Sequence, residues 1–587
     1  SPSIYAPIGN YKDLLPYLVR RLLENGANSS FINRLLDPET DSKWLAENPM
    51  VRMKKETKEI PLPKDIFNKR ENSSGYDLTE DENLKRLESS LAKFENTLVD
   101  AESIYVGRVK SSTSAHKAIS VANNKLIGSV TFDDPSNIEN AITNKSESIW
   151  NHFSVDERSK ILQDIADHIE QEPNQLIFYL INEAGKTIQN AIDEIREAID
   201  FLRYYSEQIK EINKNNELEG PTGEINNISY SNKGRFLCIS PWNFPVAILI
   251  GQISAALACG NNVLIKPSEH TSILGYLVVK IFHKYGVPLE ALQLIIGDGM
   301  YGELLTKIKP LNGVAFTGSL NTAKKIQSSL IKNQKGIIPL IAETGGINAM
   351  MVDSSALLEQ VTDDVIRSAF DSAGQRCSAL RVLCIQEEIY DELTEMIKGS
   401  MAIQEINDPN NFSADIGPII SKNALKKLND YISDCRENNL KVFQCESDFS
   451  ETHVPPTLIE IDNISQIEEE QFGPILHVIK YKFNEIDKTI NQINESGYGL
   501  TMGIHSRIES RADFISSESN IGNIYINRDM VGAVVGSQPF GGIGLSGSGF
   551  KAGGPNYLLQ FLNEKVISKN SVAFGGNTEL LNLQEDV

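Results

Sequence analysis

From residue 235 onward the chain repeats one phrase: an apolar run too brief for a helix, then a turn, then a helical pattern. The runs are 235–239, 263–265, 293–296 and 313–316. Short apolar strands alternating with helices are the rhythm of a parallel α/β sheet, with each helix crossing back over the sheet to start the next strand. A second alternating block spans 345–522. The expected fold class is therefore α/β.

The rest of the chain is read around those blocks. Leucines 14, 15, 18, 22 and 23 stand at helical spacing within 12–36, one amphipathic helix with no domain around it. A polar stretch follows, broken by IPLP and NSSG, and reads as a linker ending in a short helix over 82–98. Helical patterns occupy 155–169 and 188–210. The longest apolar stretch, 244–258, is interrupted by Gln252 and is too short for a membrane span, so it reads as a buried helix. The opening SPSIYAPIGN has neither an initiating Met nor a signal pattern, so a processed or excised piece is expected.

Composition narrows the function. A formal charge of −22 with no basic stripe argues against a nucleic-acid partner. Six cysteines in 587 residues, without a C-x-x-C pair or a close His cluster, argue for a reducing compartment and against a bound metal. Five of them, Cys238, Cys259, Cys384, Cys435 and Cys445, read as small core hydrophobes. The sixth keeps different company.

Cys377 lies in GQRCSALR, Glu343 in ETGG and Asn243 in PWNF. A thiol to attack a carbonyl carbon, an amide to donate to the oxyanion, and a carboxylate to activate water are the groups needed to oxidise an aldehyde through a thioester. A dinucleotide would suit the G-x-G-x-x-G of GDGMYG at 297–302, which follows a strand and opens a helix, although the motif alone is weak. FTGS at 316–319 is a second strand-to-helix turn that can meet a pyrophosphate. Lys266 and Glu269 of KPSE follow another strand, and a carboxylate there accepts from ribose hydroxyls while repelling a 2′-phosphate, which favours NAD over NADP. Glycine crowds FGGIGLSGSG and KAGGP, as where backbone must approach a ligand or other backbone.

Taken in order, PWNF, KPSE, FTGS, ETGG, GQRCSA, EEEQFGP and QPFGG resemble the aldehyde dehydrogenase superfamily over roughly 101–565. The segments around ETGG, GQRCSA and QPFGG further resemble the L-glutamate-γ-semialdehyde (pyrroline-5-carboxylate) dehydrogenase module of proline utilization A, and residues 5–35 resemble the last helix of its proline dehydrogenase barrel. The resemblance implies a Rossmann-like cofactor domain, an α/β catalytic domain and a β oligomerisation hairpin near 217–234 paired with the last strand. It gives these bounds: barrel remnant 1–37, linker 38–100, NAD domain 101–343, catalytic domain 344–522, a return segment with anchor loop and oligomerisation strand 523–570, and a tail 571–587.

Residue by residue, the resemblance makes Cys377 the nucleophile, Glu343 the deacylating base and Asn243 the oxyanion donor. Ile239, Ser240, Pro241, Trp242, Lys266, Ser268, Glu269, Gly299, Gly318, Ser319, Glu470 and Phe472 match NAD contacts, with Gly299 weaker than Ser319 because this family holds the pyrophosphate near the FTGS helix. Glu197 would meet the substrate's ammonium, Gly532 and Ala533 its carboxylate, and Phe244, Arg376, Ser378 and Phe540 would surround the rest. In the intact family Tyr5, Arg20 and Arg21 match proline-carboxylate ligands, but the barrel is missing here and no proline dehydrogenase activity is expected. A homo-oligomer is expected, in the bacterial cytoplasm or at the inner membrane face through the missing barrel. The rival readings are another semialdehyde dehydrogenase, such as one for succinate semialdehyde, and a non-catalytic docking domain for a proline dehydrogenase.

Overall fold

The computed structural model describes residues 61–574, apart from 110–114, 144–147, 215–216, 450 and 533, together with residues 10, 12, 14–17, 19, 43, 46 and 48. The expectations for Tyr5, Arg20, Arg21, Ala533 and the tail from 575 onward fall outside the described residues. The chain divides into two compact units, Ser1–Ile66 and Phe67–Val587. In the first, residues 14–17 are helical, and Pro63 opens a short 3-10 turn, Pro63–Asp65, where its fixed φ is pre-set and its missing N–H costs nothing.

The second unit is built on two parallel sheets. Five strands, β1 (Arg235–Ile239), β2 (Asn262–Lys266), β3 (Leu292–Leu294), β4 (Gly313–Thr317) and β5 (Leu340–Glu343), stand in the order β5-β4-β1-β2-β3, all parallel. The expected third strand, 293–296, ends two residues early because Ile296 turns its amide to the Ser103 hydroxyl at 2.9 Å. Five helices matter for the site: α1 (Ile188–Ile212), α2 (Ala247–Ala258), α3 (Ser272–Lys284), α4 (Gly299–Lys307) and α5 (Leu320–Asn333). α2 is apolar all round, and its residues from Leu249 to Ala258 are buried, as a helix without a polar face must be. Thr187 starts α1 by accepting from the Asn190 amide, and Ser319 starts α5 by accepting from that of Thr322. Such caps are each worth about 1 kcal/mol.

The second sheet has seven strands: β6 (Ala349–Val352), β7 (Val382–Gln386), β8 (Val442–Gln444), β9 (Thr457–Glu460), β10 (Ile475–Tyr481), β11 (Thr501–His505) and β12 (Asn523–Ile526), in the order β8-β9-β10-β7-β6-β11-β12. Only β8 runs antiparallel among them. The expected end of the catalytic block at residue 522 therefore falls just short of its edge strand, since Asn523 pairs with Thr501. Each sheet carries its own buried core.

A third, antiparallel sheet joins Glu217–Leu218, Glu224–Asn232 and Leu562–Asn570, with Leu562 opposite Asn232 and Asn570 opposite Glu224. The expected helix over 82–98 is Asp81–Leu91 followed by a 3-10 turn, and a strand begins at Val99. Residues from Phe67 on, expected as linker, belong to the second unit. Among the described residues no helix is long and apolar enough to cross a membrane, and no cluster of His, Cys, Asp or Glu is arranged for a metal.

Candidate active site

A cavity of ≈ 600 Å³ is lined by the ends of β4 and β5 in the first sheet, Thr317 and Glu343, and by loops that flank the second, among them those of Cys377 and Glu470. Cys377 sits on it, in the loop that leads into β7. That loop is conformationally costly. Ser372, Ala373 and Gly374 are all left-handed, with φ of 54°, 54° and 63°, a conformation that costs a non-glycine residue about 1–2 kcal/mol. At Gly374 no side chain is admissible, because a Cβ would stand 2.2 Å from the Gly473 carbonyl oxygen.

The strain is held by a network around buried charges. Arg376 pairs with Asp371 at 2.7 Å, and Asn190 of α1 donates to the same carboxylate at 2.8 Å. Arg381, 1% exposed, donates to the carbonyls of Gly374, Gly473 and Arg376 over 2.8, 3.1 and 3.0 Å and to Glu470 Oε1 over 3.1 Å. One guanidinium thus joins the nucleophile loop to the loop of Glu470 and Phe472 through both terminal nitrogens, its Nε alone staying unpaired among the described residues, and a buried charge with four such partners fixes geometry. Asn348 donates to the Cys377 carbonyl at 2.6 Å and so holds the backbone beneath the thiol.

The thiol is half-buried, and its pKa is pushed up to about 12 by burial and by the carboxylates of Glu470, Glu343 and Glu197. It rests protonated at neutral pH. Asn243 donates to the Gln375 carbonyl at 3.2 Å, which directs its amide toward the nucleophile loop. Glu343 ends β5 among glycines. Its Oε2 accepts from the Gly542 amide at 3.0 Å, its Oε1 is buried without a partner, and burial pushes its pKa up to about 8 against the pull of that amide and of Lys551. A carboxyl titrating there, with a free oxygen in a cavity, is suited to take a proton from water.

Glu197 and Phe244 line the same cavity. Burial, with Glu194 next, pushes Glu197 up to about 7. Phe244 is flanked by two cations, the Lys186 ammonium 3.8 Å and the Arg376 guanidinium 5.4 Å from its ring centre, and Lys186 pairs with Glu194 at 2.8 Å. Ser378, Gly532 and Phe540 also line the cavity.

The cofactor expectations divide into two groups. Pro241, Trp242, Gly318, Ser319, Glu470 and Phe472 line the cavity, with Trp242 and Phe472 edge to face at 5.6 Å. Ile239, Ser240, Lys266, Ser268, Glu269 and Gly299 lie outside its lining. Ile239 and Lys266 end the neighbouring strands β1 and β2 in register, so they mark the sheet's carboxyl rim, where ligands of open α/β sheets bind. Lys266 Nζ donates to the Pro267 carbonyl at 3.1 Å and lies 3.8 Å from Glu269. Gly299 opens α4, but a Cβ there would meet nothing within 4 Å, so the structure gives no steric reason for glycine.

Helix ends show where an anion would fit. Glu194 Oε1 accepts from the Val246 and Ala247 amides at the start of α2, over 2.7 and 3.1 Å. Glu183 accepts from Ile273 and Leu274 at the start of α3, over 2.8 and 2.9 Å. Those two positive helix ends are thus occupied by the protein's own carboxylates. The start of α5 opens on the cavity instead, and a Cβ at Gly318 would stand 2.7 Å from the Phe316 ring. The residues present fit a dinucleotide with its phosphates at α5.

Sequence reasoning missed Lys186, Glu194, Glu183 and Arg381, because nothing local distinguishes a buried charge from a solvated one. It also missed Gln538, whose amide, correctly oriented, donates to the Gly532 carbonyl at 3.2 Å and accepts from Arg528.

Residues 109–567 match the model of the aldehyde dehydrogenase family, and residues 1–34 that of proline dehydrogenase. The bifunctional protein PutA of Escherichia coli K12 is 43% identical over 600 residues, 97% of this chain but 44% of the relative, so the chain spans less than half of it. The 1-pyrroline-5-carboxylate dehydrogenase of Oceanobacillus iheyensis is 32% identical over 505 residues, covering 84% of this chain and 98% of the relative. The crystal structure of proline utilization A from Bdellovibrio bacteriovorus, 29% identical, superposes with a TM-score of 0.84 over 96% of this chain and 60% of that one. With most of its length inside the matched model and the thiol, carboxylate and amide gathered on one cavity, the chain belongs to the aldehyde dehydrogenase family.

Proposed function

We propose that the chain oxidises L-glutamate-γ-semialdehyde, the open form of pyrroline-5-carboxylate, to L-glutamate with NAD as the acceptor. The observation that carries this reading is the pairing of a reactive end, Cys377 with Asn243 and Glu343, with a charged end, Glu197 and the Gly532 loop, in one cavity. The substrate has the matching form: an aldehyde at one end, an ammonium and a carboxylate at the other. The relatives named for pyrroline-5-carboxylate support it.

In this reading Cys377 attacks the aldehyde carbon, its proton passing to a carboxylate of the cavity as the S–C bond forms, and Asn243 donates to the oxygen that becomes anionic. Bound NAD supplies the hydride acceptor. Glu343 then takes a proton from water, the hydroxide adds to the thioester carbon, and the S–C bond breaks to release the acid. Glu470 and Phe472 face the cofactor end, the start of α5 takes its phosphates, and the rim at Lys266 and Glu269 lies toward its ribose. The proline dehydrogenase match over 1–34 supports a polypeptide in which that enzyme precedes this one. The antiparallel sheet, with Val566 53% and Ile225 44% exposed, suits pairing with a second copy.

Purified protein is expected to form NADH from L-glutamate-γ-semialdehyde with a kcat/KM well above that for succinate semialdehyde. Equal rates would favour a general semialdehyde dehydrogenase, and no NADH from either would favour a docking role.

A second expectation concerns the charged end. Ala533→Asp puts a carboxylate where the substrate's own is to sit, and like charges about 4 Å apart repel by about 4 kcal/mol at an effective dielectric of 20. The kcat/KM for the semialdehyde is expected to fall by roughly 100-fold or more, while propanal, uncharged, loses little. Equal losses on both substrates would assign the loop to the fold or the cofactor.

A further inference from the structure

Arg70 lies in the stretch expected as linker, more than a hundred residues before any part of the site, yet its side chain is only 5% exposed. A guanidinium leaves water only where fixed partners replace its hydration. Two strong ones do so here. Nη1 pairs with Asp200 Oδ1 at 2.6 Å, and Nη2 donates to the Val535 carbonyl at 2.6 Å. Asp200 is tied to the same stretch a second time, accepting from the Ser73 amide at 3.0 Å and the Ser73 hydroxyl at 2.9 Å.

The two partners of Arg70 each stand three residues beyond a residue that lines the cavity. Asp200 follows Glu197 on α1 and so shares its face of the helix. Val535 follows Gly532 in its loop. Beside it, Gly536 donates to the Gly553 carbonyl at 2.9 Å, and Gly553 donates to Tyr205 of α1 at 2.9 Å. The loop thus rests on α1 through small residues, and Arg70 is the charged tie that sets how far apart loop and helix stand.

We propose that Arg70 is a positioning residue for substrate recognition: by bridging Asp200 and the Val535 carbonyl it fixes the span between Glu197 and the Gly532 loop, so that an ammonium and a carboxylate on one carbon are met together. This rests on the roles given to Glu197 and the Gly532 loop above. Arg70 lines neither the cavity nor the cofactor end, so a short uncharged aldehyde has no use for it. Its loss would also leave the negative charge of Asp200 without its main partner near Glu197, whose affinity for a proton Asp200 already raises.

The test uses the full chain with Arg70→Ala, Arg70→Lys and the double variant Arg70→Ala/Asp200→Ala. KM and kcat are measured for L-glutamate-γ-semialdehyde and for propanal, together with the KM for NAD. Arg70→Ala is expected to raise the semialdehyde KM about tenfold or more, with propanal kcat/KM and the NAD KM within about twofold of wild type. Arg70→Lys, which keeps the charge but reaches one partner at a time, falls between. The double variant also removes the Asp200 bonds to Ser73, so it is compared with Asp200→Ala measured alone: its loss is expected to be smaller than the sum of the two single losses, because both remove the Arg70–Asp200 pair. If Arg70→Ala does not fold, Arg70→Gln, which still donates to the carbonyl, carries the same comparison. An unchanged semialdehyde KM overturns the proposal, and so do parallel losses on propanal and NAD, which would make Arg70 a general prop. A wild-type enzyme that does not prefer the semialdehyde to propanal overturns the substrate reading and this inference with it; a preference that is undiminished in Arg70→Ala overturns this inference alone.

Discussion

Cys377→Ala is expected to abolish aldehyde oxidation, by on the order of 10⁴-fold or more, while the protein still folds and still binds NAD. The thiol forms the only bond between enzyme and substrate in the proposed reaction, and no neighbouring side chain can replace it. Its carbonyl is held by Asn348 and its loop by Arg376 and Arg381, none of which needs the sulfur, so the loop keeps its left-handed turn. The variant removes a half-buried side chain from a cavity wall, where truncation costs less than in a packed core. NADH formation in single-turnover and steady-state assays, beside NAD binding by fluorescence quenching, gives the comparison. Turnover that persists in Cys377→Ala would remove the nucleophile from the mechanism; lost NAD binding would show that the thiol supports the cofactor site instead.

Much of this site was legible because its chemistry is carried by residues whose type is unusual where they stand. Glu343 before a threonine and two glycines and Asn243 after a tryptophan announce turns at the ends of strands, Cys377 between a glutamine-arginine pair and a serine announces the loop leading into one, and the strands themselves are visible as apolar runs. What the chain does not announce is which distant residues share a charge. Arg381 and Glu470 are 89 positions apart, and Arg70 and Asp200 are 130 apart; each reads locally as an ordinary polar position until the fold buries it. The Gly299 motif is the opposite case: its spacing satisfies a local pattern, but an added Cβ there would meet nothing within 4 Å, so the packing of the chain itself gives no reason for glycine. The edge strand Asn523–Ile526 is likewise invisible locally, since its four residues acquire their sheet only by pairing with Thr501–Ile504. A resemblance carried over by motif supplies such partners only where the motif includes them, and Lys186, clamped between Glu194 and Phe244, lies outside every motif that was read.

Glu343→Gln separates the two halves of the reaction. The amide cannot take a proton from water, so the acyl-enzyme forms and then persists: NADH is expected to appear in a burst near one equivalent, followed by a steady state roughly 10²–10⁴-fold slower than wild type. The pH dependence gives an independent check of the same assignment. Burial lifts the Glu343 pKa to about 8, and the working base is the carboxylate, so where hydrolysis limits turnover the wild-type rate should rise with pH and level off above about 8. The sign follows from burial: the neutral acid is favoured inside the protein, so a larger share of the enzyme lacks its base as pH falls. In Glu343→Gln the levelling-off above about 8 should vanish, and the slow steady state should instead climb in proportion to hydroxide through that range. The burst itself decides a second question. The Cys377 thiol, pushed up to about 12, needs a base as it attacks, and Glu343 is one of the carboxylates acting on it. A full burst in Glu343→Gln assigns the carboxylate to the water alone; a lost or slowed burst assigns it to the thiol proton as well, and the rise through about pH 8 would then be found in the rate of the burst.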